Sequence, residues 1–142
     1  MKRTTNRPMR IVPLALALLA LAACAPNPPK TPEETVLTRA KAKWAAIFAE
    51  DYATAYRYLS PGFRQLYSEE AWTRRVKRQP VKWLSADVLS AQCEGRVCKV
   101  KVDLQIKVRP RVPGVPPVEV PAPVVENWLQ AEDGQWYYVP KR

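Results

Sequence analysis

Apolar side chains recur at helical spacing in the part of the chain that follows Lys30. Thr31 can cap a helix in a reciprocal arrangement with Glu34, and Pro32 suits the first helical turn. Six apolar residues then lie along one stripe of a helix: Val36, Leu37, Ala40, Trp44, Ile47 and Phe48. The pattern predicts a helix over residues 32–49.

Two shorter helices are predicted next. Asp51 can cap the first of them. Its buried side is predicted at Tyr52, Ala55, Tyr56 and Leu59. Ser60-Pro61-Gly62 contains two helix breakers and predicts the end of this helix. Ser68 can cap the next helix, which Pro80 should end near Arg78.

Beyond Pro80 the apolar positions change to a period of two, which predicts strands. The first runs from about Val81 to Leu89, and the segment 97–108 alternates most clearly. Its apolar side consists of Cys98, Val100, Val102, Leu104, Ile106 and Val108. Because the other side carries Lys99, Lys101 and Asp103, the predicted sheet is covered on one face only.

The last part of the chain predicts a loop and a hairpin. Six prolines between Arg109 and Pro123 predict a long connection, with at most an edge-strand piece at 118–120, because proline cannot donate a ladder hydrogen bond. Segments 124–131 and 135–139 should pair around Glu132-Asp133-Gly134. Three helices followed by antiparallel strands indicate an α+β domain with the helices on one face of a curved sheet.

Three segments give the chain a family resemblance. They are the first helix with Trp44 and Phe48, the run from Asp51 to Pro61, and the end of the chain with Trp128 and Asp133-Gly134-Gln135-Trp136-Tyr137. Over most of residues 33–139 this pattern resembles the NTF2-like, or cystatin-like, superfamily of cone-shaped α+β domains. Enzymes of that superfamily place acid and base residues inside the cone, often an aspartate with a histidine. The chain has no histidine, so the resemblance transfers no catalytic residue.

The N-terminus has the pattern of an export signal. Basic residues are followed by an apolar run over residues 11–23, which is shorter than the roughly 20 residues that span a membrane. The run ends Leu21-Ala22-Ala23-Cys24, which resembles the lipobox of bacterial lipoproteins. The resemblance implies that Cys24 carries a diacylglyceryl thioether and usually a third, amide-linked acyl chain. The alternative is an ordinary signal peptide with a chance cysteine.

The lipobox resemblance divides the chain into a signal peptide (1–23), a lipidated cysteine with a proline-rich tether (24–31) and one α+β domain (32–142). In proteobacterial lipoproteins an aspartate after the cysteine favours the inner membrane. Ala25 stands there instead, so we expect lipid anchoring in the outer membrane, facing the periplasm.

Composition excludes several kinds of chemistry. Without histidine, the Ser/His/Asp and Cys/His nucleophilic arrangements and His-containing zinc sites cannot form, and three cysteines cannot make a four-thiolate site. We therefore expect a protein that is not an enzyme and that has no metal or cofactor. Cleavage before Cys24 removes four basic residues and leaves 19 Lys and Arg against 13 acidic residues, a net charge of +6. In an exported protein this charge favours anionic lipids or envelope polymers over nucleic acid.

Two cysteines suggest a disulfide in the segment Cys93-Glu94-Gly95-Arg96-Val97-Cys98. If Gly95-Arg96 forms a type II′ turn, Cys93 and Cys98 face each other in a non-hydrogen-bonded pair, with Cα atoms about 4.5 Å apart. An oxidising compartment favours the bond. A reduced pair is the alternative, since a redox pair needs the closer CxxC spacing.

Five cations lie close together in sequence at Arg74, Arg75, Lys77, Arg78 and Lys82; we call them the basic cluster. They could bind phosphates of an anionic surface, or they could be a solvated helix end. The five tryptophans and six tyrosines could likewise line a ligand pocket or simply fill the core.

Two functions remain open at this stage. The favoured one is a non-enzymatic envelope lipoprotein whose domain binds another envelope component, such as an unidentified protein partner, or stabilises an assembly. The other is a carrier or sensor that holds a small apolar ligand in the mouth of the cone. A filled interior would favour the first, and a deep apolar cavity with a polar group at its floor the second.

Overall fold

The computed structural model describes residues 30–141. Four helices come first: α1 Pro32–Phe48, α2 Tyr52–Arg57, α3 Pro61–Leu66 and α4 Glu69–Lys77. Four strands follow: β1 Val81–Glu94, β2 Val97–Val108, β3 Val118–Gln130 and β4 Trp136–Val139. They form one antiparallel sheet in the order β1-β2-β3-β4, which confirms the α+β class. The signal peptide, Cys24 and the tether up to residue 29 lie outside the described residues.

Helix α1 begins as predicted. The Thr31 hydroxyl accepts a hydrogen bond from the Glu34 N–H at 3.1 Å, and the Glu34 carboxylate accepts one from the Thr31 N–H at 3.0 Å. The predicted apolar stripe is largely buried, although Phe48 at its end is exposed. Helix α1 therefore packs its stripe against the inner face of the sheet.

Ser60-Pro61-Gly62 starts a helix as well as following one. The Ser60 hydroxyl accepts from the Phe63 N–H at 3.3 Å, and Pro61 opens α3. The prediction of three helices is therefore wrong, because proline preceded by serine is also a helix-start signal. Ser68 caps α4 as predicted, accepting from the Ala71 N–H at 3.2 Å.

The long β1–β2 hairpin is part of a curved sheet and packs against α1. On β2 the alternation is confirmed, since Cys98, Val100, Val102 and Leu104 are buried. Strand β1 shifts its register twice, around Leu84 and Leu89, where an extra residue stands opposite β2. Bulges of this kind bend a strand and increase its twist.

The edge-strand piece predicted at 118–120 is confirmed, but the loop predicted at 121–123 is wrong. Strand β3 begins at Val118 and pairs with β2 through Pro121 and Pro123. Strand β4 pairs with β3 only over residues 127–130, so the first half of β3 is a sheet edge. Because the two prolines are two residues apart, both nitrogen atoms face the open side, where no ladder hydrogen bond is needed.

Strand β4 joins the sheet to the helices. It follows the predicted turn, in which Gly134 has a φ of 76° and the Asp133 carboxylate accepts from the Gln135 N–H at 2.9 Å. The Tyr138 N–H donates to the Tyr58 carbonyl at 2.7 Å, and Arg39 of α1 donates to the Trp136 carbonyl at 2.6 Å. Among residues 30–141, no helix has the length and apolarity that crossing a membrane requires.

Candidate ligand pocket

An open cavity of about 760 Å³ lies between the helices and the inner face of the sheet; we call it the pocket. Its walls are mainly apolar and come from α1, α3, α4 and all four strands, together with residues between these elements. Typical lining residues are Ile47, Leu59, Trp72, Val76, Trp83 and Leu104. This volume lies within the roughly 300–1,000 Å³ of sites that hold small molecules.

Two charged side chains line the inner end of the pocket. Lys43 and Glu126 form a salt bridge, and both side chains are buried; we call this pair the polar floor. Beyond it, toward the β1–β2 turn, the interior is filled by residues that do not line the pocket: Cys98, Val100, Trp128 and Trp136. The lining of the pocket therefore combines core residues such as Leu59 and Leu104 with a buried charged pair.

The positions of these two residues follow from the elements that carry them. Lys43 lies on the buried stripe of α1, between Ala40 and Ile47. Glu126 lies on β3 between the inward-facing Val124 and Trp128. Sequence reasoning missed both, although each is a charged residue in phase with apolar neighbours. That signal could have marked either position. It could not have shown that these two residues, 83 apart in sequence, form a pair.

Hydrogen bonds and aromatic rings hold the polar floor in place. Besides Lys43, the Glu126 carboxylate accepts from the indole N–H groups of Trp44 and Trp128, each at 3.0 Å. The Lys43 ammonium lies 4.0 Å from the ring centroid of Tyr138 and 4.5 Å from that of Trp44. Such cation–π contacts stabilise a desolvated ammonium. The cost of burying the two charges is therefore offset by indole donors at Glu126 and by aromatic rings at Lys43.

Burial shifts the pKa values of two groups at the polar floor, Lys43 and Tyr138. It lowers the pKa of Lys43 from its ordinary value, and the charge and hydrogen bond of Glu126 oppose this shift. Burial, with a smaller contribution from Glu126, raises the pKa of Tyr138 to about 12. Tyr138 is also one of the residues that line the pocket.

The structure divides the basic cluster between different surfaces. All five residues are exposed. Arg75 and Arg78 line the outer part of the pocket, Lys77 and Lys82 line a neighbouring groove, and Arg74 lines neither and forms an exposed pair with Glu70 at 3.6 Å. Two of the five cations therefore lie at the pocket, two at the groove and one at neither.

The two hairpin cysteines lie away from the pocket lining. Cys93 and Cys98 are bonded and are register partners in the β1–β2 hairpin, with Cα atoms 4.0 Å apart. Gly95 has a φ of 59°, as glycine at the first central position of the predicted turn requires. Cys98 is fully buried. The disulfide therefore links β1 and β2 beside the apolar core.

Two aspartates that do not line the pocket, Asp51 and Asp133, stabilise local structure. Asp51 caps α2 by accepting from the Thr54 N–H at 3.1 Å. Hydrogen bonds from the side chain and the backbone of Thr54 lower the pKa of Asp51. Asp133 accepts from the Tyr137 hydroxyl at 2.7 Å, which lowers the pKa of Asp133. Within residues 30–141, no group of three or more cysteine, aspartate or glutamate side chains is placed to hold a metal ion.

Comparisons with known proteins bear on the fold. No protein-family model and no curated protein sequence matches the chain. Among solved structures, the chain is similar to the solution structure of a SEC-C motif containing protein from Rhodopseudomonas palustris, with a TM-score of 0.52, 19% identity, and coverage of 72% of this chain and 73% of that one. At this identity the likeness supports the α+β architecture alone.

Proposed function

We propose that the chain is a lipid-anchored protein of the bacterial outer membrane whose NTF2-like, cone-shaped domain binds a small, mainly apolar ligand in the pocket and does not convert it. The observation that carries the proposal is a cavity of about 760 Å³ that ends on the polar floor. A filled interior would instead have favoured a domain that acts only through its surface.

The polar floor supports a binding role for the pocket. Small-molecule sites are typically apolar with a few placed polar groups that orient the ligand. A core filled with apolar residues is often as stable as one with a buried ion pair. Because apolar residues could fill these two positions equally well, the charged pair is better explained by a role in the pocket, where it disfavours a ligand with a charged group at that end.

The placement in the envelope is supported by the export signal and by the lipobox resemblance around Cys24. A tether of about six residues, extended at roughly 3 Å each, would hold the domain within some 20 Å of the membrane. Labelled fatty acid fed to the native host should be incorporated into the wild-type protein and not into Cys24→Ser. If the wild-type protein takes up no label, the lipid anchor is wrong.

Ligand binding can be tested with an uncharged dye that fluoresces in apolar surroundings, N-phenyl-1-naphthylamine. The wild-type chain should enhance the fluorescence of the dye, and Val124→Phe should reduce this effect because Val124 lines the pocket. Val97→Phe is the matched control, since Val97 is exposed on the neighbouring strand and does not line the pocket.

Equal dye binding by all three proteins would contradict the proposal, provided that circular dichroism shows the variants to be folded. That result would favour the other function, an envelope protein whose surface binds another envelope component.

A further inference from the structure

A groove lies beside the pocket and shares a wall with it. Five residues line both: Ile47, Val76, Gln79, Pro80 and Trp83. They come mainly from the end of α4 and the start of β1, which meet at Pro80. The pocket and the groove are therefore adjacent, with these five residues lining both.

The groove differs from the pocket in charge. Its cations are Lys77, Lys82, Lys107 and Arg109, and its carboxylate is Glu50. Within residues 30–141, only Lys107 of these four cations forms a salt bridge, with Glu119 at 2.9 Å. The groove thus concentrates positive charge that the described part of the chain does not neutralise.

The outer part of the pocket extends this positive field. Arg75, Arg78 and Lys141 line it and are exposed, and the salt bridges among residues 30–141 include none of them. Cations of like sign in a concave surface focus the field and attract an anion. Lysine and arginine are the residues that bind phosphate oxygens most often.

The opposite end of the pocket does not suit an anion. At the polar floor the Glu126 carboxylate is already engaged by Lys43 and by the indoles of Trp44 and Trp128. A second negative group there would meet Glu126 without a free cation. The charge of a bound ligand therefore belongs at the outer end, and its apolar part belongs toward the floor.

We propose, on the basis of the ligand pocket argued above, that the ligand is an anionic single-chain amphiphile of the monoacyl phospholipid class. Its hydrocarbon chain occupies the pocket, and its phosphate binds in the groove near Lys77 and Lys82. A single hydrocarbon chain suits the size and apolar lining of the pocket, and the adjacent basic groove suits one phosphate.

The test uses the full chain with Cys24→Ser, so that the predicted acylation does not compete for the pocket. Binding is measured by displacement of the dye N-phenyl-1-naphthylamine and by native mass spectrometry. The probes are palmitoyl lysophosphatidylglycerol, palmitoyl lysophosphatidylcholine and glycerol 3-phosphate. We expect the anionic lipid to bind at least tenfold more tightly than the choline lipid, and glycerol 3-phosphate to displace no dye.

Two variants locate the two ends of the ligand. Lys77→Gln with Lys82→Gln should remove most of the preference for the anionic lipid. Lys99→Gln with Lys101→Gln removes the same charge from exposed positions of β2 outside both cavities and should preserve it. Shortening the acyl chain should weaken binding about fourfold for each methylene removed.

Each outcome decides between the two proposals. If both lipids bind equally, the anionic head group is wrong while the pocket stands. If glycerol 3-phosphate binds as tightly as the anionic lipid, the site takes free phosphates and the amphiphile is wrong. If no lipid binds and Val124→Phe leaves dye fluorescence unchanged, the ligand pocket itself is wrong.

Discussion

Two lysine–glutamate pairs connect β3 to the rest of the molecule, and they lie in opposite surroundings. Lys43 and Glu126 meet at the polar floor, where each side chain is 3% exposed. Lys107 and Glu119 are register partners on β2 and β3, with side chains 42% and 59% exposed. The residue types are the same, so any difference in their contribution comes from the surroundings.

Because the first pair is buried, loss of one partner should destabilise the protein strongly. Because the second pair is exposed, the same loss should have little effect. A pair in water gains little, because solvent screens the attraction and both side chains lose freedom. In the interior, removal of one partner leaves a charge that has neither water nor a counter-ion. Glu126 also accepts hydrogen bonds from two indole N–H groups. Among the described residues, Lys107 is the one side chain with which Glu119 forms a polar contact.

The largest effect is expected for Glu126→Gln. The substitution keeps the size of the side chain but leaves Lys43 buried without a counter-ion, and should lower the free energy of unfolding by about 3–5 kcal/mol. Urea unfolding at neutral pH measures the change, and Glu119→Gln is the matched control. A loss below about 1 kcal/mol would show that the floor tolerates an unpaired lysine.

A double-mutant cycle sharpens this result. Lys43→Met combined with Glu126→Gln should recover a large part of the single-variant loss, because no buried charge remains. The same cycle with Lys107→Met and Glu119→Gln should give almost no coupling. Equal coupling energies in the two cycles would mean that burial does not explain the difference between the pairs.

The next effect concerns pH, through Tyr138 beside Lys43. The pKa of Tyr138 is about 12 in the folded protein, against about 10 in an unfolded chain. The folded state holds this proton more tightly, so the stabilisation is complete below pH 10 and is lost as the pH rises through 12. Relative to Tyr138→Phe, the wild-type protein should lose about 2–3 kcal/mol of unfolding free energy between pH 9 and pH 12.

Urea titrations of both proteins across that range measure the difference. Parallel stability curves for the wild type and Tyr138→Phe would contradict the burial of the hydroxyl.

A smaller effect is expected at the filled end of the interior. Replacing Cys93 and Cys98 by serine opens a loop of few residues, so the unfolded chain gains little entropy, and the cost should be on the order of 2 kcal/mol. Thermal or urea unfolding with and without reductant measures it. Peptide mapping without reductant that finds both thiols free to alkylation would refute the disulfide.

The smallest effect belongs to the exposed pair. Lys107→Gln should change the free energy of unfolding by less than about 1 kcal/mol, and the change should shrink further as salt screens the pair. Urea unfolding at low and high salt tests this. A loss comparable to that of Glu126→Gln would remove the distinction between the two surroundings.

Prediction from the sequence succeeded where the cause is local. The cap at Thr31 and the cap at Ser68 depend on residues three positions away, and the alternation of β2 depends on neighbouring residues. It failed for Pro121 and Pro123, because a proline is tolerated in a strand only if its nitrogen faces an open edge. That edge exists because β4 is short, which the local pattern around the prolines does not reveal.

The sequence alone determined that helices precede strands, which faces of α1 and β2 are apolar, and the turn that brings the hairpin cysteines together, since these follow from backbone and side-chain preferences within a few residues. Only the tertiary structure decided that Lys43 and Glu126 meet, that a cavity remains beside them, and that the basic cluster is divided between pocket and groove. These features join segments up to 83 residues apart, and depend on how α1 and α4 pack against a bent sheet. Packing of that kind is set by the shapes of all the contacting side chains together and by no single segment.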